Sequence, residues 1–184
     1  VTIPGSVTSI GKYAFNYCTG LTGVMIQKGV TSIEENAFSL CSKLLNVTIP
    51  DSVTSIGDSA FWGCSGLTGL TIGNSVTSIG NSAFWDCTGL MGTLTIPDSV
   101  TTIGSSAFWD CARLTGLSLG KNLNTISYAA FRFCSSLNTI TAKPINAPTT
   151  LDWTVFDGVP FTAVLTTPNT PSSNTSYDVD PWSR

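Results

Sequence analysis

The chain has no histidine among its 184 residues. That removes the commonest general base, the imidazole of a serine triad and every imidazole metal ligand. Charge is scarce too: 10% of the residues are Asp, Glu, Lys or Arg, against about 25% in ordinary globular domains. Eight scattered basic residues and a net charge of −3 leave no basic footprint for nucleic acid. No apolar run approaches the ~18–20 residues of a membrane-spanning helix. The opening "VTIPGSV" has neither a basic n-region nor an apolar h-region, so no signal peptide is visible. Paired carboxylates, a nucleophile elbow and a phosphate loop are not recognisable, and the expectation is a protein that is not an enzyme and holds no cofactor or metal.

What is present is a repeat. The pair "AF" recurs with its phenylalanine at Phe15, Phe38, Phe61, Phe84, Phe108 and Phe131, at intervals of 23, 23, 23, 24 and 23. Three residues after each comes a cysteine: Cys18, Cys41, Cys64, Cys87, Cys111 and Cys134, which accounts for all six. The isoleucines Ile10, Ile33, Ile56, Ile79, Ile103 and Ile126 keep the same register, as do the leucines Leu21, Leu44, Leu67, Leu90, Leu114 and Leu137. The one extra residue of the 24-residue unit lies between Leu90 and Leu94. No single unit can bury so many apolar positions, but stacked units can.

Within a unit, "GLTIG" (69–73) alternates Leu70 and Ile72 with Gly69 and Thr71, the period of a strand. Pro4, Pro50 and Pro97 end that strand. "SAFWGC" sets Ala60, Phe61 and Cys64 on one side of a single helical turn, with Trp62 and Gly63 pointing outward. Equivalent strands about 4.8 Å apart would form a parallel sheet along one face of a solenoid.

The segment "LTIPDSVTSIGDSAFWGCSGLTGLTI" resembles the BspA-like leucine-rich repeat family of bacterial and protist surface proteins, in its strand-Pro, V-x-x-I-G, A-F and C-x-x-L elements. The resemblance implies a leucine-rich-repeat solenoid of ~23-residue repeats, with the parallel sheet on a concave face and short helical turns and loops on a convex one. It also implies an extracellular or cell-surface location. Residues 1–142 then make six repeats, the first truncated at its N-terminus, so that the chain reads as part of a longer protein. Residues 143–184 make an atypical terminal repeat and cap: "AKPINAPTTLDW" breaks the register, and "VFDGVPFTAVLTTP" restores it with Phe156 at the phenylalanine, Val159 at the cysteine, and Leu165 and Thr167 at the strand. Tyr177 and Trp182 would fold back over the last layer, as the family's Tyr-then-Trp tails do, unless the Ser/Thr-rich tail is a linker.

Three surfaces are candidates for chemistry. The cysteine column reads as buried free thiols rather than disulfides or metal ligands, because parallel Cβ vectors suit no bridge and a straight row gives no tetrahedral cage. The position after each buried phenylalanine holds Trp62, Trp85 and Trp109 in consecutive units, with Asp86 and Asp110 beside the last two. That strip either packs on itself or stacks sugar rings. The sheet face presents Met25, Asn46, Thr48, Thr71, Thr95, Ser118, Thr139 and Thr141, the expected binding surface of a leucine-rich repeat. It is flat, uncharged and without aromatic or Arg anchors. Asp51, Asp58 and Asp98 read as turn formers, and Asp152, Asp157, Asp178 and Asp180 have no calcium-loop spacing.

The functional expectation is a non-enzymatic interaction or adhesion module, binding a protein or glycan on a host or matrix surface and no nucleic acid. The alternatives are a carbohydrate-binding domain using the tryptophan strip, a structural spacer, and an ice-binding solenoid using the threonine column.

Overall fold

Each unit of the repeat makes one coil, and successive coils stack into a parallel solenoid. The computed structural model describes residues 1–142, 150–151, 154–160 and 164–166. The strand expected from "GLTI" recurs as Thr2–Ile3, Met25–Ile26, Asn46–Thr48, Gly69–Thr71, Gly92–Thr95, Leu114–Leu119, Thr139–Ala142 and Val164–Thr166. Pairing is parallel and in register with the repeat, Val47 against Leu70 and Ile140 against Leu165. The ladder is continuous from Gly92 to Thr166 but breaks into pairs before that.

A second sheet, unforeseen in the sequence, runs alongside. It is built from two-residue strands of the V-T-S-I segment: Ser9–Ile10, Ser32–Ile33, Ser55–Ile56, Ser78–Ile79, Thr102–Ile103, Thr125–Ile126 and Thr150–Leu151, all seven in one parallel ladder. Each described isoleucine here is buried while the preceding Ser or Thr is half-buried. β-Branched residues suit this pleated, half-covered surface. The outward threonines of the same segment reinforce it, since the Thr31, Thr54, Thr77 and Thr101 hydroxyls donate to the backbone carbonyl of the preceding coil at 2.8–3.2 Å.

The corner is not the helical turn expected. No helix occurs among the described residues; "SAFWGC" is a run of turns in which alternate amides have alternate destinations. Ala60, Trp62 and Cys64 donate to Gly57, Ser59 and Phe61 within their own coil at 3.1–3.3 Å, whereas Ser59, Phe61 and Gly63 donate to Asn81, Ala83 and Trp85 of the next coil at 2.8 Å. Two residues of each such corner take positive φ, for example Ser82 at 53° and Asp86 at 60°, and left-handed residues are incompatible with a right-handed helical turn. Every one of these six amides is thereby satisfied while the phenylalanine and cysteine still point inward.

Inside, like stacks on like. The rings of Phe15, Phe38, Phe61, Phe84, Phe108 and Phe131 lie 5.1–5.2 Å apart and within 8° of parallel. Phe156 continues the stack at 5.6 Å, and the Val159 amide donates to Phe156 at 3.0 Å as the cysteine amides do to their phenylalanines. Close stacking demands small residues elsewhere: a Cβ on Gly80 would lie 2.6 Å from the Asp58 amide nitrogen of the preceding coil. The extra residue of the long unit is absorbed where expected. Strand register shifts opposite Gly92, whose φ of +77° favours glycine. Thr167, Tyr177 and Trp182 lie outside the described residues.

Candidate functional site

The outer face of the long-strand sheet is assembled by register alone. Thr48 pairs with Thr71, Thr95 with Ser118 and Ser118 with Thr141, while Met25 pairs with Thr2. The threonines and Met25 are exposed and Ser118 is half-buried. Beside this row, Asn46 lies against Gly69, and Gly116 sits between Thr93 and Thr139. Thr93 belongs to the row but escapes a strict 23-residue count, because the inserted residue displaces it. A further row is formed by Thr22, Leu45, Thr68 and Met91, linked by successive amide-to-carbonyl bonds of 2.8–3.4 Å. Leu45 and Met91 are exposed apolar side chains. Their signal in the sequence was position: each directly follows the repeat's buried leucine.

The aromatic strip lies on the corner. Trp62 and Trp85 have centroids 6.4 Å apart at 50°, and Trp85 and Trp109 are closer, 5.4 Å at 30°. Trp109 meets Phe133 edge-on at 5.6 Å. Arg132, which takes the tryptophan's place in the next coil, lays its guanidinium 4.8 Å from the Trp109 centroid and 4.7 Å from that of Phe133. Its Nε is 2.9 Å from Asp157 Oδ2 but off the axis of the N–H bond, so the pair is Coulombic rather than a well-aligned hydrogen bond. Asp157, a tail carboxylate in the sequence reading, therefore serves the coil-to-coil stack. Asp86 and Asp110 follow Trp85 and Trp109 at left-handed positions in adjacent coils. Partial burial and the Asp110 carboxylate hold Asp86 above the usual carboxylate range.

The cysteine column is buried from Cys41 to Cys134, and Cys18 is the exception, exposed in the first coil. All six are free thiols. The buried thiols donate to the phenylalanine carbonyl of the preceding coil, as Cys64 does to Phe38 at 3.1 Å and Cys134 to Phe108 at 3.3 Å. Burial pushes the Cys87 and Cys111 thiols well up and that of Cys134 up to about 12. Burial raises the Cys64 thiol as well. Held neutral and hydrogen-bonded, the thiols of Cys87, Cys111 and Cys134 are poor nucleophiles and poor metal ligands.

The acidic corner residues do more than form turns. Asp51, Asp58 and Asp98 each accept a backbone N–H from the next coil, of Asn74, Asn81 and Lys121, at 2.6, 2.7 and 3.1 Å. Asn81 passes the pattern on by accepting from Ser105 at 2.9 Å. Among the described residues no group of three or more Cys, Asp or Glu is placed to hold a metal ion, and no helix is long and apolar enough to cross a membrane. Asp152, Asp178 and Asp180 lie outside the described residues.

Comparison with known proteins agrees with this architecture. A model of the BspA type leucine rich repeat region matches in 6 copies, over residues 1–111 and 66–178. A leucine-rich repeat protein of T. pallidum, known from its crystal structure, is 27% identical, with a TM-score of 0.70 over 82% of this chain and 71% of that one. A leucine-rich repeat protein from Bacteroides ovatus is 19% identical, with a TM-score of 0.42 over 90% of this chain and 62% of that one. No curated protein sequence matches the chain.

Proposed function

Because this chain belongs to the BspA type leucine-rich repeat family, we propose that it is a non-enzymatic protein-interaction module, serving adhesion on a secreted or surface-attached protein. Its binding surface is the outer face of the long-strand sheet. The observation that carries this reading is the row structure of that face. Thr48, Thr71, Thr95 and Thr141 stand exposed at fixed register, with Met25, Leu45 and Met91 exposed among them. Buried columns hold the coils together from within, so these exposed apolar side chains are free to meet a partner. A face of small side chains offers no deep pocket, and affinity would come from many modest contacts repeated along the solenoid.

The test is adhesion to host-cell and matrix-coated surfaces by the chain and two charge variants. Met25→Glu/Leu45→Glu/Met91→Glu should abolish retention, because it places unpaired carboxylates across the face. Thr54→Glu/Thr77→Glu, which puts charge on the second sheet, should leave it intact. Equal retention by all three proteins would refute the assignment of the face.

A further inference from the structure

We propose that the aromatic flank at Trp62 and Trp85, with Asp86 and Asp110, docks an arginine-bearing segment of a partner protein. This rests on the reading as an interaction module and gives it a second surface with a defined partner chemistry. The flank already holds one guanidinium of its own. Arg132 lies over both Trp109 and Phe133 and is neutralised by Asp157 of the following coil. That combination, ring faces plus a carboxylate from a neighbouring coil, is what a planar, weakly hydrated cation requires.

Earlier along the flank, Trp62 and Trp85 have no cation over their rings among the described residues. Asp86 and Asp110 stand in consecutive coils and take part in no ion pair among the described residues. Their mutual repulsion is felt, since Asp110 contributes to raising Asp86. The ring spacing also changes. Trp85 and Trp109 close on one another, whereas Trp62 and Trp85 stand 6.4 Å apart at 50° and remain 38% and 37% exposed. Sugar stacking calls for an open ring lying flat beneath the ligand. Here the Trp62 and Trp85 rings are inclined at 50° to one another, and the residues that follow Trp85 and Trp109 are carboxylates outside any ion pair among the described residues, which suits a guanidinium better. An ammonium would satisfy the carboxylates but lose the planar stack and the forked hydrogen bonds.

The experiment titrates the full chain with an acetylated tetra-arginine amide at physiological salt, read by tryptophan fluorescence and calorimetry, with tetra-lysine as comparison. Arginine is expected to bind about fivefold or more tighter than lysine. The Asp86→Asn/Asp110→Asn variant, which keeps the rings and the left-handed turns, should weaken arginine binding by about tenfold. Asp51→Asn/Asp58→Asn, with the same change of net charge, should stay within about twofold. Circular dichroism of each variant establishes that it is folded. Equal affinity for the two peptides, equal loss in the two charge variants, or no binding would overturn the proposal. So would a glycan-array hit lost in Trp85→Ala with no arginine binding, which would assign the flank to sugars. Peptide binding absent here while the Met25/Leu45/Met91 variant still loses adhesion refutes this inference and leaves the proposed function standing.

Discussion

Replacing Phe84 by alanine tests the inner stack where it is most complete. Phe84 is fully buried, and its ring faces Phe61 and Phe108 at 5.1 Å on either side. Removing a buried phenylalanine side chain costs about 3–5 kcal/mol through lost transfer free energy and the cavity left behind. Two aromatic contacts of about 0.5–1.5 kcal/mol each place this site near the top of that range. With a urea m-value of about 2–3 kcal/mol/M, the midpoint should fall by roughly 1.5–2 M. Phe84→Leu keeps most of the apolar volume and loses both ring contacts, so it should cost about 1–3 kcal/mol. At half-buried Phe15, which stacks on Phe38, the leucine change should cost about half as much. The assay is urea unfolding followed by far-ultraviolet circular dichroism, with coincidence of a fluorescence transition checked because repeat arrays can lose cooperativity. A Phe84→Ala cost below about 2 kcal/mol, or equal costs for Phe84→Leu and Phe15→Leu, would refute the reasoning.

Two further outcomes follow. Gly80→Ala should destabilise by about 1–3 kcal/mol in thermal or urea unfolding, because its Cβ would press on the backbone of the coil below; Gly11→Ala, one of the same repeat position with nothing within 4 Å of its Cβ, should change stability by less than about 1 kcal/mol. Asp86→Asn should raise the melting temperature at neutral pH. The folded chain holds the Asp86 carboxyl above its ordinary value of 3.8, so the folded state binds the proton more tightly and loses stability as pH rises through that window. The advantage of the variant should vanish as pH falls below the ordinary value, and a pH-independent difference between the two melting curves would contradict the assignment.

The columns were legible because each is written six times: Phe61 or Cys64 alone says little, but the same residue at every 23rd position can only be a layer of a stack. The second sheet was not legible. Ser55–Ile56 is two residues long, too short for alternation along the chain, and its evidence lies across coils instead. The corner's backbone was not legible for a related reason. Ala60, Phe61 and Cys64 do share the inner side, as helical spacing suggests. The left-handed φ of Ser59, and of Phe133 at 59°, goes with hydrogen bonds to the next coil and has no counterpart in the residues' local preference. The exposed rows suffered from the insertion, which hid Thr93. Arg132 was visible as the residue in the tryptophan's place, but its contacts with Trp109, Phe133 and Asp157 depend on where three coils put their side chains.

That successive coils place identical side chains in register within one core is tested most directly by counting reactive thiols. In native buffer a small maleimide should label Cys18 rapidly and leave Cys41, Cys64, Cys87, Cys111 and Cys134 protected. In denaturant without reductant all six should react. Rapid native labelling at several sites would mean that the cysteines do not form an inner column, and a denatured count short of six would mean that they are not free.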